Sequence, residues 1–171
     1  MSKKILVVLT GTEKYPNLNR ATGVWLGEAV HFVEKVQKAG FEVDFVSPEG
    51  GYTPIDPHSL AMAEPVDWEW YHDKSFMKRL GAALKPSEVK AEDYSAIYFV
   101  GGHGVLWDFP ENQELQALSR EIYEQGGSFH RCAMVPSVFS TSSFQTANRS
   151  SKARRSRDSR TRRSVSQNSR N

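Results

Sequence analysis

The sequence predicts an α/β fold, an incomplete flavodoxin-like doubly wound parallel sheet followed by a disordered basic C-terminal tail. Three observations carry this reading. Short apolar runs without polar alternation, Lys4–Thr10, Val43–Val46 and Ala96–Val100, have the pattern of strands covered on both faces. Segments of helical period stand between and after them and are closed by glycine. From Ser128 onward the apolar period gives out and serine and arginine take over.

Taken in order, Lys4–Thr10 is entered from basic residues and left through Gly11-Thr12. Glu13–Thr22 is a polar loop with Pro16, Asn17 and Asn19. From Gly23 to Ala39, Val24, Leu26, Val30, Val33 and Val36 recur at helical spacing, and Gly40 stops the helix. Val43–Val46 is the second strand, ended by Ser47-Pro48-Glu49-Gly50-Gly51. Strand, helix and strand within about 45 residues make a right-handed crossover unit. Residues 52–94 are less regular, with a helix expected over Asp73–Leu84 and closed by Pro86. Asp67-Trp68-Glu69-Trp70-Tyr71-His72-Asp73, near His58, reads as a solvated loop with aromatic anchors. A metal site there would need several ligands converging on one ion. The third strand, Ala96–Val100, runs straight into Gly101-Gly102-His103-Gly104. Glu111–Glu124 follows as a helix with Leu115, Leu118 and Ile122 on one face, and Gly126-Gly127 ends it.

Composition narrows the class. The chain has 171 residues and one cysteine, which excludes an intrachain disulfide and a cysteine-based zinc site. No run approaches the ~18 apolar residues of a membrane span. Ile5–Leu9 is too short for a signal-peptide core, so a cytoplasmic protein is expected, with the nucleus as a second location. The net charge of +2 hides a split: residues 1–127 carry −7 and residues 128–171 carry +9, the latter with 9 Arg and 12 Ser in 44 residues. So sharp a break divides the chain into residues 1–127, the first part of an α/β domain, and residues 128–171, a tail of different origin. Thr141–Asn171 holds too little apolar surface to offset its ordering entropy. Arg154-Arg155-Ser156-Arg157 and Arg160-Thr161-Arg162-Arg163 form an arm able to meet phosphate through charge alone. No stacking platform accompanies it, and nucleic acid is not the expected partner.

Candidate chemistry sits where strands end, since open α/β sheets bind ligands there. The Gly101–Gly104 loop either points backbone N–H groups at an anion or developing oxyanion, or is a tight turn requiring positive φ. His103 is a catalyst or a hydrogen-bonded loop histidine. Glu28 lies four residues after Val24 and three before His31. It is either a boundary glutamate or an inward carboxylate, whose pKa burial would raise into the range of proton transfer. Cys132 is a nucleophile or a small buried hydrophobe.

Four blocks carry a family resemblance: Lys3–Thr10, Thr22–Ala29 (Thr-Gly-Val-Trp-Leu-Gly-Glu-Ala), Gly40–Pro48 (Gly-Phe-Glu-Val-Asp-Phe-Val-Ser-Pro) and Tyr98–Pro110 (Tyr-Phe-Val-Gly-Gly-His-Gly-Val-Leu-Trp-Asp-Phe-Pro). They resemble the ThiJ/PfpI superfamily, most closely its glutathione-independent glyoxalase (glyoxalase III) and heat-shock chaperone branch, with class I glutamine-amidotransferase-like topology. The resemblance runs from about Lys3 to Gly127. It implies that Glu28 is the acid/base glutamate and that Gly102, beside His103, belongs to the oxyanion loop. It also implies a cysteine on a sharp turn after the next strand, followed by His-Gly-Pro. The implied reaction turns methylglyoxal into D-lactate with neither glutathione nor a metal, so no cofactor is expected. A homodimer and a chaperone-like role are also compatible with it.

The chain departs from that pattern at the nucleophile. Cys132 is followed by Ala133-Met134-Val135-Pro136 and stands one residue early. Codons for Ser128–Thr146 can be chosen so that one added nucleotide in front reads Ile-Val-Ser-Pro-Val-Cys-His-Gly-Pro, the family's strand and elbow. A frame change at Ser128 would account for the charge break. The sequence therefore predicts an inactive, marginally stable chain of three parallel strands, with Ser128–Val135 at most a frayed substitute strand.

Overall fold

The computed structural model describes residues 4–131. Four strands form one parallel sheet in the order β2-β1-β3-β4, where β1 is Lys4–Val8, β2 Glu42–Val46, β3 Tyr94–Phe99 and β4 Ser128–Arg131. The order reverses at β1, which has β2 on one side and β3 on the other, so the carboxyl ends of β1 and β3 flank the crevice where such sheets take ligands. Alternation along the strands feeds two cores. Ile5, Val7, Val43, Phe45, Ala96 and Tyr98 pack under helix α1 (Leu26–Lys38). On the other face, helix α6 (Gln113–Glu124) lies against β3 and β4.

Helix α1 buries Leu26, Ala29, Val30 and Val33, one stripe of a 3.6-residue period. It begins at Leu26 rather than the expected Gly23 because the preceding backbone is already used. Val24 N donates to Pro54 O (2.8 Å) and Trp25 N to Gly101 O (3.0 Å). Its end follows the expectation: Gly40 is left-handed at φ +86°, and Phe41 N donates back to Val36 O (3.0 Å).

The middle of the chain departs most from the sequence reading. The segment expected as a loop around Asp67 is helix α3 (Pro65–His72), which follows the short helix α2 (Pro57–Ala61). Pro65 occupies the first turn, and Asp67 caps it by accepting from Glu64 N (2.9 Å). Trp70 and Tyr71 pack on the α1 core, and Asp67 lies 3.2 Å from His31 Nε2 of α1. Helix α4 (Lys74–Leu80) stops four residues before the expected Leu84, since Ala83 and Leu84 are drawn into extended pairing beside β2. There Leu84 N donates to Phe45 O (2.9 Å) and Ser47 N to Leu84 O (3.0 Å). Tertiary pairing has overridden local helix preference.

Ser128–Arg131 is a regular fourth strand, not a frayed one as far as Arg131. It pairs in parallel with β3 in the register Ala96↔Ser128 to Phe99↔Arg131. Phe129 faces α6 and is buried, while Ser128, His130 and Arg131 are exposed. The expected continuation to Val135, the expected disorder of Thr141–Asn171 and the basic arm lie outside the described residues. Among the described residues no helix is long and apolar enough to cross a membrane.

Candidate active site

The structure brings Glu28, Gly102 and His103 together at the carboxyl end of β3. Gly101 spends both backbone groups on the start of α1: its carbonyl accepts from Trp25 N (3.0 Å), and its N–H donates to Glu28 Oε2 (2.7 Å). Glu28 is half-buried, a boundary position from which its carboxylate reaches the Gly101 amide. Charge-assisted bonds of this kind are short and hold a carboxylate in one orientation.

Gly102 has φ +130°, and a Cβ there would stand 2.3 Å from Gly23 O and 3.0 Å from Trp25 N. The loop therefore needs glycine as a turn, and the same close approach brings it down onto the helix that carries Glu28. The turn and oxyanion readings are compatible: neither the Gly102 nor the His103 amide has a backbone acceptor among the described residues. Two uncommitted N–H groups at a strand's end, beside a fixed carboxylate, can stabilise negative charge on a carbonyl oxygen while the carboxylate moves a proton.

The His103 ring is partly exposed, with the Tyr15 ring 5.9 Å away, and Tyr15 meets Trp107 edge-on at 5.2 Å. Behind it, Asp56 Oδ2 stands 3.7 Å from His103 Nδ1. Asp56 is buried. It caps α2 by accepting from His58 N (2.8 Å) and also accepts from Thr22 Oγ1 (3.0 Å). Sequence reasoning missed Asp56, although an aspartate before proline at a helix start is a legible cap signal.

It also missed Asp108, for which no local signal exists. Asp108 sits at the end of the short helix α5 (Val105–Asp108) and accepts from Thr10 Oγ1 and Gly11 N, both at 2.7 Å. It thus ties the glycine loop's continuation to the end of β1. Burial pushes its carboxyl above the usual range, while the Thr10 and Gly11 bonds pull the other way. A carboxyl raised on folding holds its proton more tightly in the folded state. The contribution of Asp108 to stability is then greatest at acid pH, falls as pH rises from the ordinary 3.8 through the raised folded value, and levels off above it. Asp108→Asn keeps an acceptor and removes the charge. The thermal midpoint of the variant should gain on the unaltered chain as pH rises through that window. A difference independent of pH would show that Asp108 does not carry this linkage.

Cys132 follows β4 directly in sequence and lies outside the described residues. Among the described residues no group of three or more His, Cys, Asp or Glu side chains is placed to hold a metal ion. A cavity of about 670 Å³ lies away from this site. It opens on the α1 face of β3 and β4, between Phe32, Val36, Phe41, Tyr94, Ala96 and His130.

No family model matches the chain. It is 36% identical over 143 residues to the glutathione-independent glyoxalase HSP31 of Saccharomyces cerevisiae, covering 80% of this chain and 60% of that protein. That is a larger share of the chain than residues 1–127 alone make up. The crystal structure of glyoxalase III from Candida albicans superposes with a TM-score of 0.69 at 28% identity, covering 80% of this chain and 58% of that one. The Francisella tularensis rapid encystment protein of 24 kDa gives a TM-score of 0.72 at 31% identity over 77% of this chain and 58% of that one. The chain thus spans no more than about 60% of these relatives' length. Sequence and superposition agree that the chain is homologous to the glutathione-independent glyoxalases, with a partial fold of the DJ-1/ThiJ/PfpI kind.

Proposed function

We propose that this chain carries the proton-transfer and oxyanion half of a glutathione-independent glyoxalase site for methylglyoxal, and does not complete the reaction. The observation that carries the reading is the Gly101 N–H to Glu28 Oε2 bond of 2.7 Å, which fixes a carboxylate beside the Gly102 and His103 amides, neither of which has a backbone acceptor among the described residues. In the complete reaction a thiolate adds to the aldehyde carbon, giving a hemithioacetal. A carboxylate at the position of Glu28 takes the proton from that carbon and delivers it to the neighbouring ketone carbon, leaving a thioester. Water then releases D-lactate and restores the thiol. The oxyanions at both carbons call for donors placed like the Gly102 and His103 amides. The family's His-Gly-Pro does not follow Cys132, which is the ground for proposing that turnover is lost.

The test is D-lactate formation from methylglyoxal without glutathione. The unaltered chain should give none. A chain with Ile-Val-Ser-Pro-Val-Cys-His-Gly-Pro in place of residues 128–136 should gain turnover, and Glu28→Gln in that chain should reduce it by about 10²–10⁴. D-Lactate from the unaltered chain that disappears on Cys132→Ala would overturn the inactivity. A restored chain indifferent to Glu28→Gln would overturn the role of Glu28. The nucleotide sequence across Ser128 tests the frame change directly.

One observation favours a second reading, a holdase. The cavity of about 670 Å³ beside β4 presents apolar side chains to solvent, and exposed apolar clefts of that kind take up unfolded segments. Suppression of client aggregation that survives both Glu28→Gln and Cys132→Ala would support it; loss of suppression with either would tie the effect to the catalytic half-site.

A further inference from the structure

Resting on the reading of Gly101–Gly104 as the oxyanion side of the site, we propose that Asp56 is a positioning residue for His103. In this arrangement the buried carboxylate holds the imidazole in the tautomer with its proton on Nδ1, which leaves Nε2 as a proton acceptor. Four observations carry this. His103 Nδ1 is buried and has no hydrogen-bond partner among the described residues, whereas the ring as a whole is 35% exposed, so its accessible part lies away from Asp56. Among the described residues the carboxylate facing Nδ1 is that of Asp56, with Oδ2 at 3.7 Å. Asp56 is fixed from every side: His58 N binds Oδ1, Thr22 Oγ1 binds Oδ2, its own N–H donates to Val24 O (3.0 Å), and its carbonyl accepts from Ser59 Oγ (2.8 Å). Each carboxylate oxygen takes two donors, so Oδ2 has one site left, on the side of His103. Closing 3.7 Å to an ordinary N–H···O length of about 2.9 Å is a shift of about 0.8 Å.

The consequence is chemical. A neutral imidazole can offer either nitrogen as its base, and the partner of the other nitrogen decides which. With Nδ1–H held by Asp56, the free base of His103 is Nε2, next in chain to Gly102, where an oxyanion's proton must be taken up or returned. Ser59 extends the same network to α1, accepting from Leu26 N (3.2 Å) two residues before Glu28. Asp56 thereby sets the imidazole and the first turn of the Glu28 helix together.

The test reads the tautomer and does not depend on turnover, so its failure is separable from failure of the proposed function. Long-range ¹⁵N–¹H correlation spectra of the full chain, in buffer alkaline enough for neutral imidazoles, report which ring nitrogen carries the proton. His103→Phe assigns the signal. The unaltered chain should show His103 protonated on Nδ1. Asp56→Asn keeps an oxygen for His58 N but turns an NH₂ toward His103, and should move the proton to Nε2. Thr22→Val removes another partner of the same carboxylate, leaves its charge, and should keep the proton on Nδ1. A purely structural Asp56 would give the same tautomer in all three proteins. An Nε2–H tautomer in the unaltered chain overturns the proposal even if Asp56→Asn fails to fold, as does a folded Asp56→Asn with the tautomer unchanged.

Discussion

Gly102→Ala should destabilise the protein by about 3 kcal/mol or more, an unusual loss for the addition of one methyl group. Two separate penalties meet at this position. The left-handed φ of +130° is one that L side chains rarely adopt, which costs of order 1–3 kcal/mol. The added Cβ would also lie 2.3 Å from Gly23 O and 3.0 Å from Trp25 N, both backbone atoms that cannot rotate aside. Relief requires the β3 loop to lift off the start of α1, which breaks the Trp25 N to Gly101 O bond and releases Glu28 Oε2 from Gly101 N. Gly40→Ala is the control. Gly40 is also left-handed, at φ +86°, but nothing lies within 4 Å of its Cβ position. It should cost only the conformational part, about 1–2 kcal/mol. Denaturant midpoints of the two variants separate strain from close approach. Equal losses would mean that the loop is not pressed onto the helix, and the geometry built around Glu28 would fall with it.

The sequence made most of this arrangement legible, for identifiable reasons. β1 and β3 are covered on both faces, so their composition alone marks them. Helices α1 and α6 bury one stripe each, so their period marks them. The glycine loop was legible as a sharp turn at a strand's end, while its chemical role stayed open between a turn and an anion-binding loop. Glu28 was legible only as an alternative, because its direction depends on Gly101, 73 residues away in sequence. Asp108 was hidden for the same reason, whereas Asp56 was missed although its cap signal, an aspartate before Pro57, is local. The partners of Asp108 lie 97 and 98 residues away at Gly11 and Thr10, and a contact over that separation leaves no periodic trace. The reading of α3 failed differently. Its aromatic and charged residues mix on all sides of a two-turn helix, so no apolar stripe betrayed it, and the Glu64-Pro65-Val66-Asp67 cap was its only signal.

β4 is where composition misled most, and a second large effect follows from how it packs. Serine, histidine and arginine flank a single buried residue, Phe129, so Ser128–Arg131 has no apolar run to announce a strand. Its place is set by backbone pairing to β3 and by one ring. Phe99, fully buried on β3, meets Phe109 at 5.5 Å edge-on and Phe129 at 5.5 Å at a tilt of 41°. Phe99→Ala should therefore cost about 3–5 kcal/mol, as truncation of a buried phenylalanine leaves a cavity its neighbours cannot fill. Of a total stability of ~5–15 kcal/mol, that is enough to unfold much of the population. Phe129→Ala alone should cost less, since among the described residues its strand is at the sheet edge, with Ser128 and His130 exposed. The double variant should lose less than the sum of the two, by about 0.5–1.5 kcal/mol for the lost ring pair. Urea midpoints of the three proteins give the coupling. An additive result with a neutral Phe129→Ala would mean that β4 does not pack on α6. The sheet would then end at β3, and residues 128–131 would belong with the tail, as their composition suggests.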